Sequence, residues 1–226
     1  MANTHSLDLE ETSDQYAESA NTTLTDGYAA MTIQGWWKPE ANLDNYNNFI
    51  NKRSGATISW GFQYENDSDK FTFSEGGGKS AITTNAQSIS AGTWYHIAVV
   101  YDGSQADADK VVFVIDGVEV ATTVDASFPT TLPSNEVPIR IGNAAGSNEV
   151  DGLVDDWRIY NSARTATAID ADRSTEVSSG PVAYWKLNED YTDLIGSLDL
   201  TASGSPVFST DVPFTGAGSV KRVIIF

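Results

Sequence analysis

The chain of 226 residues contains no cysteine, which excludes disulfides, thiolate metal sites and cysteine nucleophiles together. Positive charge is scarce: 13 Lys and Arg stand against 31 Asp and Glu, a net charge of −18. That balance repels phosphate backbones and anionic lipid, and argues against nucleic acid or membrane insertion. No apolar run approaches the ~20 residues of a membrane-spanning helix. The opening Met1-Ala2-Asn3-Thr4-His5 lacks the basic and apolar regions of a signal peptide. This start fits a chain cytosolic as made, assembled into a particle, or belonging to a larger exported protein. Helical signal is almost absent; only 165–172, with Thr165 as cap, reads as a turn or two of helix.

What is abundant is period-2 alternation broken by turn residues, the signature of short strands. Met31-Thr32-Ile33-Gln34-Gly35-Trp36-Trp37-Lys38 alternates until Pro39 stops it. Trp94-Tyr95-His96-Ile97-Ala98-Val99-Val100-Tyr101 is almost wholly apolar, as a strand covered on both faces would be. Asp116-Gly117, set between Val111-Val112-Phe113-Val114-Ile115 and Val118-Glu119-Val120-Ala121, predicts a two-residue hairpin turn. Further strands are expected at 6–10, 58–64, 70–74, 81–85, 139–142, 153–160, 182–187 and 198–201. A dozen short strands predict an all-β fold, an antiparallel two-sheet β-sandwich of the jelly-roll kind. Ile33, Ile97, Val99, Phe113, Ile115, Ile141 and Ile159 form its expected core.

Residues 178–181 read as a linker, but the remaining stretch is too short for a core of its own. One domain over 1–226 is therefore expected, with 182–226 supplying closing strands. The terminal Val220-Lys221-Arg222-Val223-Ile224-Ile225-Phe226 is apolar and β-prone, so it is expected to pair within the domain or with a neighbouring subunit. That makes a homo-oligomer or larger assembly a candidate partner state.

Three sets of residues are similar, in order, to one known family. They are Ser6-Leu7-Asp8-Leu9 with the strand from Met31 to Pro39, then Gly92-Thr93-Trp94-Tyr95-His96-Ile97-Ala98-Val99-Val100-Tyr101-Asp102 with Phe113-Val114-Ile115-Asp116-Gly117, then Asp151-Gly152-Leu153-Val154-Asp155-Asp156-Trp157-Arg158-Ile159-Tyr160-Asn161-Ser162-Ala163-Arg164. Together they resemble the laminin G-like branch of the concanavalin A-like lectin/glucanase superfamily, a concanavalin A-like jelly roll. Ala183-Tyr184-Trp185-Lys186-Leu187-Asn188-Glu189-Asp190 resembles the segment that usually begins such domains, which implies a circular permutation.

The resemblance implies a calcium ion between the 188–193 segment and Asp155, with Asp155, Glu189 and Asp193 as ligands; Asn188 stands where the family commonly has Asp. Hard cations take such carboxylate oxygens. A glucanase would need the pattern Glu-x-Asp-x-Glu, with two carboxylates about 5 Å apart in a retaining enzyme. The partial match Glu149-Val150-Asp151-Gly152-Leu153 has leucine at the third acidic place, so no enzyme activity is expected. His96 is expected to be structural. Sugars stack on aromatic faces, and Trp36, Trp60, Tyr64 and Tyr46 are the expected glycan-binding residues. The expected function is a non-catalytic, glycan-binding or adhesive recognition module for a cell-surface or matrix glycan, displayed on a larger assembly at an extracellular or virion surface. A structural virion or filament protein is the second reading, and a glycoside hydrolase the third.

Overall fold

The computed structural model describes residues 3–10, 13–40, 46–143 and 148–215. In chain order the first strands are β1 (Ser6–Leu9), β2 (Tyr16–Ser19), β3 (Ala30–Pro39), β4 (Tyr46–Ser54), β5 (Thr57–Glu65), β6 (Lys70–Glu75), β7 (Ser80–Thr83) and β8 (Tyr95–Asp102). There follow β9 (Val111–Ile115), β10 (Val118–Val120), β11 (Thr122–Val124), β12 (Ile139–Ile141), β13 (Gly152–Tyr160), β14 (Ala183–Trp185), β15 (Leu200–Ser203) and β16 (Val207–Ser209). The helix α1 (Ala166–Asp172) is capped by Thr165, whose side chain accepts from the Ala168 N–H.

The strands form two antiparallel sheets. The first runs β10-β9-β8-β3-β13-β1-β16, and the second β11-β7-β6-β5-β4-β12-β2-β15. At one side the chain passes from β10 into β11, and at the other from β15 into β16. Both open sides of the sandwich are thereby bridged. Six of the seven expected core residues are fully buried between the sheets; Ile115 is partly buried against them. The Asp116-Gly117 turn adopts the positive φ angles that its sequence demands, +50° and +83°.

β13 organises the first sheet. On one side it pairs with β3. On the other, β1 pairs with its first half (Leu7 opposite Val154) and β14 with its second (Trp157 opposite Trp185). Two segments from opposite ends of the chain thus share one strand position. Between them β13 bulges at residues 155–158, with Asp156 at φ +59°. The bulge turns Trp157 into the core, where its ring lies directly over Gly35; a β-carbon there would overlap it.

The terminal 220–226 segment, with its expected pairing and assembly role, lies outside the described residues. Among the described residues, no helix is long and apolar enough to cross a membrane.

Candidate functional site

The outer faces of the two sheets are treated differently. Ile169 of α1 packs on Ala98, Val100 and Val114, which explains why the β8 sequence is apolar on both sides. Trp36 points out of the same sheet and meets His96 at 5.1 Å and Phe214 at 6.2 Å, while its Nε1 donates to the Arg173 carbonyl at 2.7 Å. The first sheet is thus roofed by α1, the segment following it and residues near 214. His96, buried under that roof, is structural: burial, then Arg158 and Arg173, hold its imidazole well below the ordinary range.

Among the described residues, no counterpart of α1 packs on the centre of the second sheet. Trp60, Phe62 and Tyr64 of β5 point inward, so Gly61 and Gln63 point out. Cross-strand register sets Glu18, Arg140, Asn51, Gly61 and Ser74 in one row across this face. Asn48, Gln63, Thr72 and Ile82 form the next. Gly61 lies mid-strand, where glycine weakens a sheet, and its φ is not positive. A β-carbon there would meet only Asn51 Cβ and Ser74 Oγ, both at an ordinary 3.6 Å. Neither conformation nor packing requires this glycine, and its effect is a shallow trough floored by backbone.

Amide side chains line the trough. Asn51 Nδ2 donates to Asn48 Oδ1 at 2.9 Å and to the Asn143 carbonyl at 2.6 Å, and Asn48 Nδ2 donates to Gln63 Oε1 at 3.1 Å. Asn51 is fully buried, yet its Oδ1 has no partner. Arg140 is held by Glu18 through Nε (3.0 Å) and Nη2 (2.6 Å), with its guanidinium 4.4 Å from the Tyr16 ring centre. Planar donors and acceptors beside an open floor match the hydroxyls and ring of a saccharide.

The expected glycan-binding aromatics need correction. Trp36, Trp60 and Tyr64 are buried and present no face to a ligand. Trp60 donates to Thr25 Oγ1 at 2.8 Å, and Tyr64 donates to Asp69 Oδ1 at 2.6 Å while packing on Trp37 and Phe71. Alternation correctly takes Trp36 out of the inter-sheet core, but the roof then covers it. Tyr46, 41% exposed at the start of β4, is the one that reaches solvent.

The expected calcium ligands do not converge. Asp193 spends both oxygens on backbone N–H groups: Oδ1 on Tyr184, Ile195 and Gly196, and Oδ2 on Leu198. Glu189 is exposed and lies 3.5 Å from His5 Nε2. Asp155 is buried, with Oδ2 accepting from Asn3 at 2.6 Å and Oδ1 unpartnered. Burial, and then the neighbouring Asp156, hold its carboxyl well above the usual range. These three therefore do not fit a calcium site. Among the described residues, the one carboxylate group with metal-compatible spacing is Glu10, Glu40 and Asp151. Burial first, then Asp8, Glu10 and Asp151, raise the Glu40 carboxyl.

The partial glucanase pattern is split: Leu153 lies in the first sheet, whereas Glu149 reaches Asn143, whose carbonyl accepts from Asn51 on the outer face of the second. Leu153 is buried on β13 in the first sheet, and Glu149 Oε1 accepts from Asn143 at 3.2 Å. Glu18 and Glu65 are the acids of the open face's central strands; Glu18 holds Arg140, and Glu65 accepts from Thr72 at 2.8 Å.

Residues 11–170 match a laminin G family model of the concanavalin A-like lectin/glucanases superfamily. A candidate carbohydrate-binding protein from Bacteroides ovatus is similar over 97% of this chain and 62% of its own, at 14% identity and a TM-score of 0.69. The heptameric SAP-like pentraxin of Limulus polyphemus matches over 91% of this chain and 94% of its own, at 13% identity and a TM-score of 0.62. Domains LG4-5 of mouse laminin α1 match over 69% of this chain and 40% of theirs, at 15% identity and a TM-score of 0.49. At these identities the likeness is one of fold, and the chain spans less than two thirds of the Bacteroides protein. No curated protein matches the chain. The sandwich, its strand order and the family match agree: the chain belongs to the concanavalin A-like lectin/glucanases superfamily, in its laminin G-like branch.

Proposed function

We propose that the protein is a non-catalytic carbohydrate-recognition module that holds a saccharide against the outer face of the second sheet. The observation that carries this reading is the trough at Gly61 on the outer face of the second sheet, where the partly exposed Gln63 and Ser74 stand beside the buried Asn48 and Asn51. The name of the Bacteroides protein, which has the same fold, supports it. A cell-surface or matrix glycan is the expected ligand, with the module acting outside the cell. The alternative of a structural virion or filament subunit leans on the 220–226 segment and gains no support from the described residues.

The test is a glycan array probed with the wild type and Gly61→Leu, each with millimolar Ca²⁺ or EDTA. Gly61→Leu should lose binding by at least about tenfold, because its side chain fills the trough floor. Its melting temperature should hold or rise, since leaving glycine in a strand relieves about 0.5–1 kcal/mol. Binding unchanged by Gly61→Leu, or no glycan retained by the wild type, would sink the reading. Release of reducing sugar from the bound glycan would overturn its non-catalytic part.

Calcium is a separable part of the proposal. If a cation neutralises Glu10, Glu40 and Asp151, the wild type should melt higher in Ca²⁺ than in EDTA. The rise is about 2.7 kcal/mol at a hundredfold excess over Kd, or roughly 5–10 °C. Asp151→Asn should abolish that rise, whereas Asp109→Asn, on a distant loop, should keep it. Identical melting curves in both buffers reject calcium.

A further inference from the structure

Resting on the reading above, we infer that the saccharide held on this face carries a carboxylate, and that Arg53 receives it. Arg53 is the exception among the described arginines. Arg140, Arg158, Arg164 and Arg173 each have a carboxylate within 4.0 Å. Arg53 has none. Its one hydrogen bond runs from Nη2 to the Gly55 carbonyl at 3.1 Å, and its Nε is buried without a partner. In a chain with 31 acidic residues, a partly buried guanidinium left without an acid departs from the pattern of its neighbours.

Its surroundings sharpen the point. Arg53 follows Asn51 by two residues on β4, and the extra residue of the irregularity beside it, Ser59, is on β5, so β4 keeps its alternation there and both side chains leave the sheet on the face that carries Gly61. Arg140 lies opposite Asn51, which makes Arg53 and Arg140 diagonal neighbours. The carboxylate of Glu18 is committed to Arg140 through two hydrogen bonds. Burial, and then Arg140, press the Arg53 guanidinium below its usual pKa, as expected for a cation short of a counter-charge. A carboxylate on the ligand would supply that charge and meet the planar fork of N–H donors in two parallel hydrogen bonds. Successive side chains on one face of a strand stand about 7 Å apart. A saccharide lying over Gly61, opposite Asn51, can therefore bring a carboxylate onto Arg53.

The overall charge decides between acidic ligands. A net charge of −18 repels a polysulfated chain in proportion to its many charges. One carboxylate, held locally by Arg53 and screened from the remaining charge beyond about 8 Å at physiological salt, meets little of that repulsion. The favoured class is therefore a uronic acid or similar carboxylate sugar in an otherwise neutral glycan.

The experiment measures affinity for a uronate-containing oligosaccharide and for its carboxyl-reduced, neutral counterpart, using wild type, Arg53→Gln, Arg53→Lys and Gly61→Leu. The wild type should prefer the acidic form by about tenfold or more, the scale of one charge-assisted hydrogen bond. Arg53→Gln should bind both forms equally, near the wild-type affinity for the neutral one. Arg53→Lys should recover only part of the preference, because it keeps the charge and loses the fork. Equal binding of both forms by the wild type, both lost in Gly61→Leu, would overturn the carboxylate and leave the glycan reading standing. A preference that survives Arg53→Gln would overturn the role of Arg53. Binding of neither form overturns both.

Discussion

A chain ended after Gly180 should show no cooperative melting transition. The lost segment carries Tyr184, Trp185, Leu187, Leu200, Val212 and Phe214, none more than 6% exposed. Burying such side chains stabilises by about 1.5–3 kcal/mol each, so the loss is on the order of 10 kcal/mol before the entropy of ordering the segment is set against it. A typical domain has about 5–15 kcal/mol in all. What remains is also left open. The second half of β13 loses β14, β1 loses β16 and β2 loses β15. Asp211, which is bonded to Lys38 and accepts from Trp94 Nε1 at 3.1 Å, goes too. Calorimetry and near-ultraviolet circular dichroism check this. A soluble 1–180 fragment with a single sharp transition would show that the segment is dispensable.

Arg158→Met should destabilise the protein by about 3–5 kcal/mol, the usual result of removing one partner from a buried ionic network. Arg158 is 1% exposed and holds the roof of the first sheet in place. Nη1 donates to the Asp172 carbonyl at 2.8 Å, and Nη2 donates to the Thr175 carbonyl at 2.7 Å. The same Nη2 lies 3.3 Å from Asp156 Oδ2. At about 2–4 °C per kcal/mol for a chain of this size, melting should fall by roughly 6–20 °C. The loss should be smaller at pH 5 than at pH 8. Burial raises the Asp156 carboxyl above its ordinary value, and Arg158 is the largest influence opposing that rise. Without Arg158 the folded-state value climbs further above the unfolded one. Stability is then lost as pH rises through that window, because ionised Asp156 is a buried charge with Lys186 as its one remaining cation among the described residues. Arg158→Lys should rescue little, since one ammonium cannot replace the fork. A melting shift under 2 °C at pH 8 would refute the network's importance.

Much of this fold is legible in the residues, and the illegible part has a physical cause. β3, β8 and the β9–β10 hairpin declare themselves through alternation, an Asp-Gly turn and, for β8, an apolar second face that anticipates Ile169. β4 does not. Its outer residues are Asn48, Asn51 and Arg53, and the extra residue of the bulge at 48–50 breaks its alternation. The least strand-like segment thus carries most of the candidate site. β2, β11 and β16 escape because Ala17 is the one buried apolar side chain among them, which leaves no alternation to read. The site residues fail differently. A tryptophan's direction follows from alternation, but whether anything roofs it does not, as Trp36 shows. Asp193 is visible as an acid; its use as a clasp for four backbone N–H groups depends on a turn with no distinct pattern. Gly61 lies inside the expected 58–64 strand, but the sequence alone assigns it no role; its place opposite Asn51 comes from the register.

The strand position shared by β1 and β14 has a consequence for the order in which the protein is made. On the ribosome, residues 7–9 emerge early, but their neighbours on β13 are not complete until residue 160 has appeared, and β14 follows only at 183–185. Until then the core-facing side of the bulge, with Trp157, lacks its partner Trp185. Contacts this distant in sequence must close large loops before they return any stabilisation, so folding is slow and comes late in synthesis. The nascent chain meets the cell with an apolar strand half covered, and its final closure falls to β15 and β16, the last strands among the described residues to leave the ribosome.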